Sequence, residues 1–273
     1  MKNLTATALE RRLSVLEMVY NGKSGHIGGS MGCMDILTVI YDVMMDVDKI
    51  KAGDPDRDRF VMSKGHCAEA LYAVLADVGL IEREELKTYA KYNTRLAEHP
   101  THSIPGVEAA TGALGHGLSL AVGMAYGLRQ SGSPAKVYTL MGDGEQAEGS
   151  VWEAAMSAAK FKLDNLTAVV DRNYLQISGG TEEVMPLDDL AGKYRAFGFH
   201  TVVCQGNNSD SLIEAFRTPH EGKPLAIIAN TIKGYGSPIM ENKADWHHLI
   251  PNTEQYEIIK ADLTRKLQEV RNG

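Results

Sequence analysis

Lys136-Val137-Tyr138-Thr139-Leu140-Met141-Gly142-Asp143-Gly144 is the stretch that decides how this chain folds. Its first six residues read as a buried strand, and the glycine pair ends that strand in a tight turn. An alanine-rich helical segment follows, then a second apolar run, Leu166–Val170, which closes on Asp171-Arg172-Asn173. Asn173 falls thirty residues after Asp143. A glycine turn at a strand end lets backbone N–H groups approach a phosphate closely. A carboxylate in that turn and a carboxamide after the next strand can share one hard cation. Mg²⁺ takes oxygen ligands in an octahedron and is usually held by few protein groups together with phosphate oxygens. The spacing therefore reads as a metal-bridged diphosphate clamp. Gly-Asp-Gly alone is also an ordinary turn, and it is the strand–helix–strand surround that points further. A dinucleotide site is the competing reading, but it requires G-x-G-x-x-G on the first turn. Here Ala147 stands where the third glycine belongs.

Working outward, the regular part begins near Leu118, with a helix to Leu128, a strand over 136–141, a helix over 150–161 and a strand over 166–170. It continues with a helix over 188–197, a strand over 199–204, a helix over 210–217 and a strand over 224–230. Strands alternating with helices imply a doubly wound α/β fold, a parallel sheet with helices on both faces. The first third reads as helical: Leu9, Leu13, Leu16 and Tyr20 recur at helical spacing up to Asn21-Gly22. The glycine-rich run Ser24–Ser30 reads as a flexible loop, followed by a helix from Met34 to Met45. Arg59–Met62 has strand character, Gly65–Val78 reads as a helix and Glu82–Tyr92 as a polar one. His99–Gly117 is a long loop, and loops of that length inside a compact domain are usually functional. Pro251-Asn252-Thr253 opens a last helix with Ile258, Ile259, Leu263, Leu267 and Val270 on one side. With no internal repeat and no linker, residues 1–273 read as a single domain.

Composition narrows the class. At 273 residues and 44% hydrophobic the chain can bury a large core. A net charge of −7 without a basic run argues against a nucleic-acid surface. The N-terminus reads as a polar-faced helix rather than a signal peptide. No apolar stretch approaches the ~18 residues that suggest a membrane span. Cys33, Cys67 and Cys204 are scattered singly and read as free thiols of a cytoplasmic protein.

Eight ordered motifs carry a family resemblance. They are Ser24-Gly25-His26-Ile27-Gly28, Asp58–His66, Glu98-His99-Pro100, Pro105-Gly106-Val107-Glu108, Thr111–Gly117, Met141–Gly144, Lys233–Pro238 and Trp246-His247. In content and order they resemble transketolase, over residues 24 to 250. The resemblance implies a domain that binds the diphosphate of thiamine diphosphate through Mg²⁺, with Ca²⁺ or Mn²⁺ as substitutes. It implies Asp143 and Asn173 as side-chain metal ligands and Leu175 as a backbone-carbonyl ligand. Gly142 and Gly144 form the turn, and the Gly144 N–H and His66 meet the phosphates. Leu114 and Ile177 would flank the thiazolium, and the Gly112 backbone would border the aminopyrimidine.

His26 and His247 match a pair beside the substrate carbonyl, suited to proton transfer, and His99 a contact to a substrate hydroxyl. His116 stands where glutamine is commonest and is a further catalytic candidate. His248 stands where glycine is usual, which leaves open whether His247 or His248 points inward. Glu148 and Glu153 match acidic residues at the family's subunit contact, although exposed helix carboxylates are common. Lys64 and Lys233 could meet phosphate charge.

A full-length transketolase continues into a pyrimidine-binding domain and a third domain. The resemblance therefore implies the N-terminal subunit of a two-chain transketolase, working with a C-terminal partner, as a heterotetramer, on sugar phosphates of the pentose phosphate type. The pyrimidine-side glutamate would come from that partner, with no membrane and no nucleic acid involved. Three alternatives stay open on the residues. They are another thiamine diphosphate enzyme (deoxyxylulose phosphate synthase-like or dehydrogenase-like), a chain that only holds cofactor, and a nucleotide-binding protein.

Overall fold

The computed structural model describes residues 3–272. Among them, β1 (Arg59–Met62), β2 (Val137–Gly142), β3 (Leu166–Arg172), β4 (His200–Gln205) and β5 (Leu225–Asn230) form one sheet in the order β1-β2-β3-β5-β4. Every neighbouring pair is parallel, with Arg59 level with Val137 and Val137 level with Leu166. The helices are α1 (Leu4–Gly22), α2 (Ile27–Gly32), α3 (Met34–Val39), α4 (Val47–Lys51), α5 (Ala68–Asp77) and α6 (His116–Gln130). They continue with α7 (Gly149–Lys160), α8 (Thr181–Val184), α9 (Leu190–Ala196), α10 (Ser209–Phe216) and α11 (Thr253–Asn272).

Side chains alternate across a strand, so each strand feeds two cores. Phe60, Met62, Tyr138, Leu140, Val169 and Ile227 pack with α1, α3, α5 and α10 on one face. Val61, Val137, Met141, Ala168, Val170 and Ile228 pack with α6, α7 and α9 on the other. Helices thus cover both faces, as the alternation predicts. Asn3, Asp189 and Asn208 cap the starts of α1, α9 and α10 with side-chain oxygens. On α11, Ile259, Leu263 and Leu267 are buried, whereas Ile258 is exposed. Tyr256 of that helix stacks on Tyr20 of α1 at 4.2 Å. The three cysteines are free and buried, and no helix among the described residues is long and apolar enough to cross a membrane.

The structure differs from the sequence reading in the first third. The glycine-rich run is not a loop: from Ile27 it is α2, wholly buried. Its glycines serve close packing, since a methyl group at Gly28 would lie 2.6 Å from the Trp246 carbonyl oxygen and one at Gly29 2.7 Å from Cys67 Sγ. The helix expected over Met34–Met45 tightens into α3 and then widens into a π turn over Ile40–Met44. In place of a polar helix over Glu82–Tyr92 there is a 3₁₀ segment, Arg83–Thr88, in which only Leu86 is buried. Without an apolar face, that segment had nothing to hold it as a longer helix. The helix expected from Leu118 begins two residues earlier, at His116.

In a parallel sheet all the C-terminal strand ends face the same side, and ligands bind in the crevice there. Ser63-Lys64, Gly142-Asp143, Asn173 and Thr231–Lys233 accordingly gather along one edge. Lys64 donates to Asp171 Oδ2 in a fully buried ion pair, and the Thr231 hydroxyl donates to Oδ1. Burial opposes the Lys64 charge, yet Asp171 holds its pKa well above the ordinary lysine value. Replacing Lys64 by Met strands Asp171 as a buried anion and is expected to cost about 3–5 kcal/mol in urea unfolding. Pairing Lys64→Met with Asp171→Leu should recover most of that loss, and equal losses in the single and double variants would refute the account.

Candidate active site at the strand ends

A cavity of about 330 Å³ opens at this edge. Its walls include His26, Lys64, His66, Gly112, Leu114, Gly142, Asp143, Gly144, Asn173, Leu175, Ile177, Lys233 and His247, all singled out from sequence, together with Glu145 and Gln176. Asp143 is 2% exposed and anchors the β2 turn. Its Oδ2 accepts from Tyr174 N–H at 2.7 Å, from Arg172 Nη1 at 3.1 Å and from the Thr181 hydroxyl at 3.3 Å. Its Oδ1 accepts the Gly144 N–H at 2.8 Å. Burial, and then the nearby Asp171 charge, push its carboxyl above the usual carboxylate range, with Arg172 pulling the other way. Asn173 sits alongside, its Oδ1 accepting from Leu175 N–H at 3.1 Å.

Two buried side chains and a nearby carbonyl thus present oxygen donors, the set that Mg²⁺ and its relatives select over zinc-class ions. Gln176 Nε2 is buried without a hydrogen-bond partner, so the cavity carries a donor in need of an acceptor. On both counts the residues present fit a metal-bound diphosphate.

Five histidine rings cluster at the mouth. His26 lies 5.2 Å from His66, 6.2 Å from His99, 5.4 Å from His247 and 4.5 Å from His248, centroid to centroid. His247 lines the cavity, whereas His248 is exposed and faces Glu98. His99 is exposed above Gly112, where a methyl group would lie 2.7 Å from its ring. His116 is placed apart, exposed at the first position of α6. Glu148 and Glu153 stand exposed at the start and on the outer side of α7.

Two of these rings are held neutral. Burial pushes His26 down to about 4, and burial with the Lys233 charge pushes His247 down to about 3. Lys233 Nζ lies 3.0 Å from His247 Nδ1. An ammonium can only donate, so Nδ1 accepts and the His247 proton resides on Nε2.

Sequence reasoning missed two carboxyl groups that set this geometry. Glu145, buried after the glycine turn, accepts from the Ser63 hydroxyl, from Gly115 N–H at 2.8 Å and from Gly142 N–H at 2.9 Å. It ties the end of β2 to the segments after β1 and before α6, and its place one residue after Gly144 was the available signal. Glu69 Oε1 accepts the His26 N–H at 2.6 Å and holds the start of α2. Burial, then Cys67, raise its carboxyl to about 8. Nothing in the local pattern of α5 marks it.

Residues 3–264 match the family model described as transketolase, thiamine diphosphate binding domain. The chain is 46% identical over 269 residues to an apulose-4-phosphate transketolase subunit of Phocaeicola vulgatus, covering 97% of this chain and 96% of that protein. It is 40% identical over 245 residues to a 6-deoxy-6-sulfo-D-fructose transketolase subunit of a Clostridium species, covering 89% of each. Among solved structures, a transketolase from Leishmania mexicana superposes with a TM-score of 0.86 at 32% identity, covering 98% of this chain and 42% of that one. The chain therefore spans less than half the length of that solved transketolase.

Two outcomes follow from the charge states. The Glu69 carboxyl titrates near 4.5 when solvated and near 8 in the native protein. The native state therefore holds a proton at Glu69 that the unfolded chain releases, and the contribution of this group to stability falls as pH rises through that window. Glu69→Gln is expected to remove this slope in denaturation series between those pH values; an unchanged slope would refute it. Lys233→Met should release the tautomer and lift the His247 pKa toward 6.5, which nitrogen NMR of the histidine rings would read directly.

Proposed function

The chain belongs to the transketolase family, in its thiamine diphosphate-binding domain, and on that premise we propose that it is the diphosphate-binding half of a two-chain transketolase. The reaction would be transfer of a two-carbon ketol unit from a ketose donor to an aldose acceptor. One observation carries the two-chain reading. Ile177 lines the cavity and yet is 75% exposed, with Tyr174, Val184 and Met185 exposed nearby. Chemistry that depends on excluding water cannot run against an open wall. A C-terminal partner bearing the pyrimidine domain would close it, leaving residues 1–273 as a single diphosphate and metal domain.

The acids support the same reading. Those lining the cavity are Asp143 and Glu145, and Glu145 is committed to Ser63, Gly115 and Gly142. The carboxylate that must engage the cofactor's pyrimidine would then come from the partner. Relatives of matching length are themselves named as transketolase subunits rather than as whole enzymes, which agrees with this division.

Thiamine diphosphate, when bound, supplies the electron sink for carbon–carbon cleavage beside a ketose carbonyl. Asp143, Asn173 and the Leu175 carbonyl would hold Mg²⁺, or Ca²⁺ or Mn²⁺ in its place. His66, the Gly144 N–H and the unpartnered Gln176 amide would meet the diphosphate. Leu114 and Ile177 would wall off water, and Gly112 would admit the aminopyrimidine where a side chain would strike His99. His247, with its proton on Nε2, would donate to a substrate oxygen. His26, neutral at working pH, would accept a proton, and His99 would bind a sugar hydroxyl. His116, at the head of α6, would serve only if the assembled enzyme brings substrate or partner to it.

A second copy would pack on the outer faces of α6 and α7. There Leu120, Tyr126, Met156 and Phe161 are exposed beside Glu153, and Glu148 stands at the head of α7. The assembly would be a cytoplasmic heterotetramer. Two similar proteins act, by name, on apulose 4-phosphate and on 6-deoxy-6-sulfo-D-fructose. The donor class is therefore a ketose carrying a distal anion, with pentose phosphates one member of it.

Purified chain with thiamine diphosphate, Mg²⁺ and a ketose phosphate should give no turnover until a partner chain is added. In the reconstituted enzyme, Asp143→Asn should cut kcat/KM by about 100-fold or more, beyond the effect typical of losing an outer-sphere contact. Chelation should abolish turnover and Mg²⁺ restore it. Robust turnover by the chain alone, or pyruvate decarboxylation in place of ketol transfer, would overturn the reading.

A further inference from the structure

At the outer rim of the cavity, three side chains with metal-ligating atoms converge from three separate segments. His26 precedes α2, Glu98 lies in the long loop before α6, and His248 follows the turn Ala244–His247. One ligand atom from each lies within 4.8 Å of the other two. The His26 and His248 rings approach to 4.5 Å, and His248 Nε2 lies 3.5 Å from Glu98 Oε2. Glu98 is held for this contact, because its other oxygen accepts from the Ser24 hydroxyl. His26 Nδ1 is buried without a hydrogen-bond partner.

We propose that His26, Glu98 and His248 form a binding site for a zinc-class transition metal ion, distinct from the hard-oxygen site at Asp143 and Asn173. Two imidazoles and one carboxylate are the ligand set of open, three-residue zinc sites, whereas Mg²⁺ prefers oxygen alone. Zinc–ligand bonds of about 2.0–2.2 Å place tetrahedral ligand atoms roughly 3.3–3.5 Å apart. The His248–Glu98 pair already has that spacing. The remaining closure is toward His26, and the His248 side chain opposite it is 52% exposed.

Protonation of His26 and Glu98 does not compete at neutral pH. Burial keeps His26 at about 4. Burial opposes the Glu98 charge, but hydrogen bonds from Ser24 and His248 outweigh it and hold that carboxyl below its usual value. The supporting shell is also present, with Ser24 fixing the carboxylate in the way second-sphere groups orient metal ligands. Of the three ligands, His26 lines the cavity. An ion held by the three engages His26, the residue proposed to face the ketose, so the metal and the sugar would exclude one another. Zinc-class ions would thus act as competitive inhibitors, which goes beyond the ketol-transfer reading and does not need it in order to be tested.

Titrating the purified chain with Co²⁺ alone should give the visible absorption of a four-coordinate site at one equivalent. Zn²⁺ should displace it, and excess Mg²⁺ should not. His248→Gly and Glu98→Gln should each weaken Zn²⁺ binding by about 100-fold or more, above the loss expected for an outer-sphere group, while Asp143→Asn leaves it unchanged. Absence of the four-coordinate band, or equal Zn²⁺ affinity in wild type and His248→Gly, would overturn the proposal. So would loss of the signal in Asp143→Asn but not in His248→Gly, which would put the ion at the diphosphate site. The titration uses neither partner nor turnover, so its failure and that of the ketol-transfer reading are separable.

Discussion

The buried pair of Lys64 and Asp171 is the constraint on which the cavity rests. It joins the residue two past the end of β1 to the penultimate residue of β3, across the intervening β2. Thr231, just past β5, completes the shell of Asp171. Two charges removed from water in this way gain little net stability, but neither can be left alone. The three strand ends are therefore held at one mutual spacing. Asp143 is tied in turn to the residues on either side of Asn173, accepting from Arg172 and from the Tyr174 N–H.

Above that floor the site is organised by hydrogen bonds from backbone N–H groups to buried carboxyl groups. Glu145 gathers the loops at Ser63, Gly115 and Gly142, and Glu69 fixes His26 through its main chain. Glycine at positions 28 and 29 lets α2 press against Trp246 and Cys67. That contact brings His26 and His247 together, although 221 residues separate them. Five imidazoles this close cannot all be charged, and burial holds at least His26 and His247 neutral. His26 and His247 therefore offer lone pairs and N–H groups to sugar hydroxyls or to a soft ion.

Some of the site is legible without coordinates. Asp143, Asn173 and the glycines around them announce themselves, because a strand-ending turn with fixed flanking types depends only on nearby residues. The glycine run at Ser24–Ser30 misleads for the converse reason. Glycine loosens a chain in water, yet here its missing side chain is what allows a buried helix. Glu98 is visible as part of a motif, but its role opposite His248 depends on a contact 150 residues apart in sequence.

The sequence by itself determined the apolar strands, the parallel α/β order and the glycine turn after β2, since these follow from backbone geometry and side-chain type within a few positions. The tertiary structure alone decided which charges are buried and with whom. Lys64 meets Asp171 across 107 residues, and Ser63 meets Glu145 across 82. It also decided that five of the histidines cluster around His26 while His116 stands apart. Burial, charge state and ligand-atom convergence are properties of neighbours in space, and no local pattern encodes them.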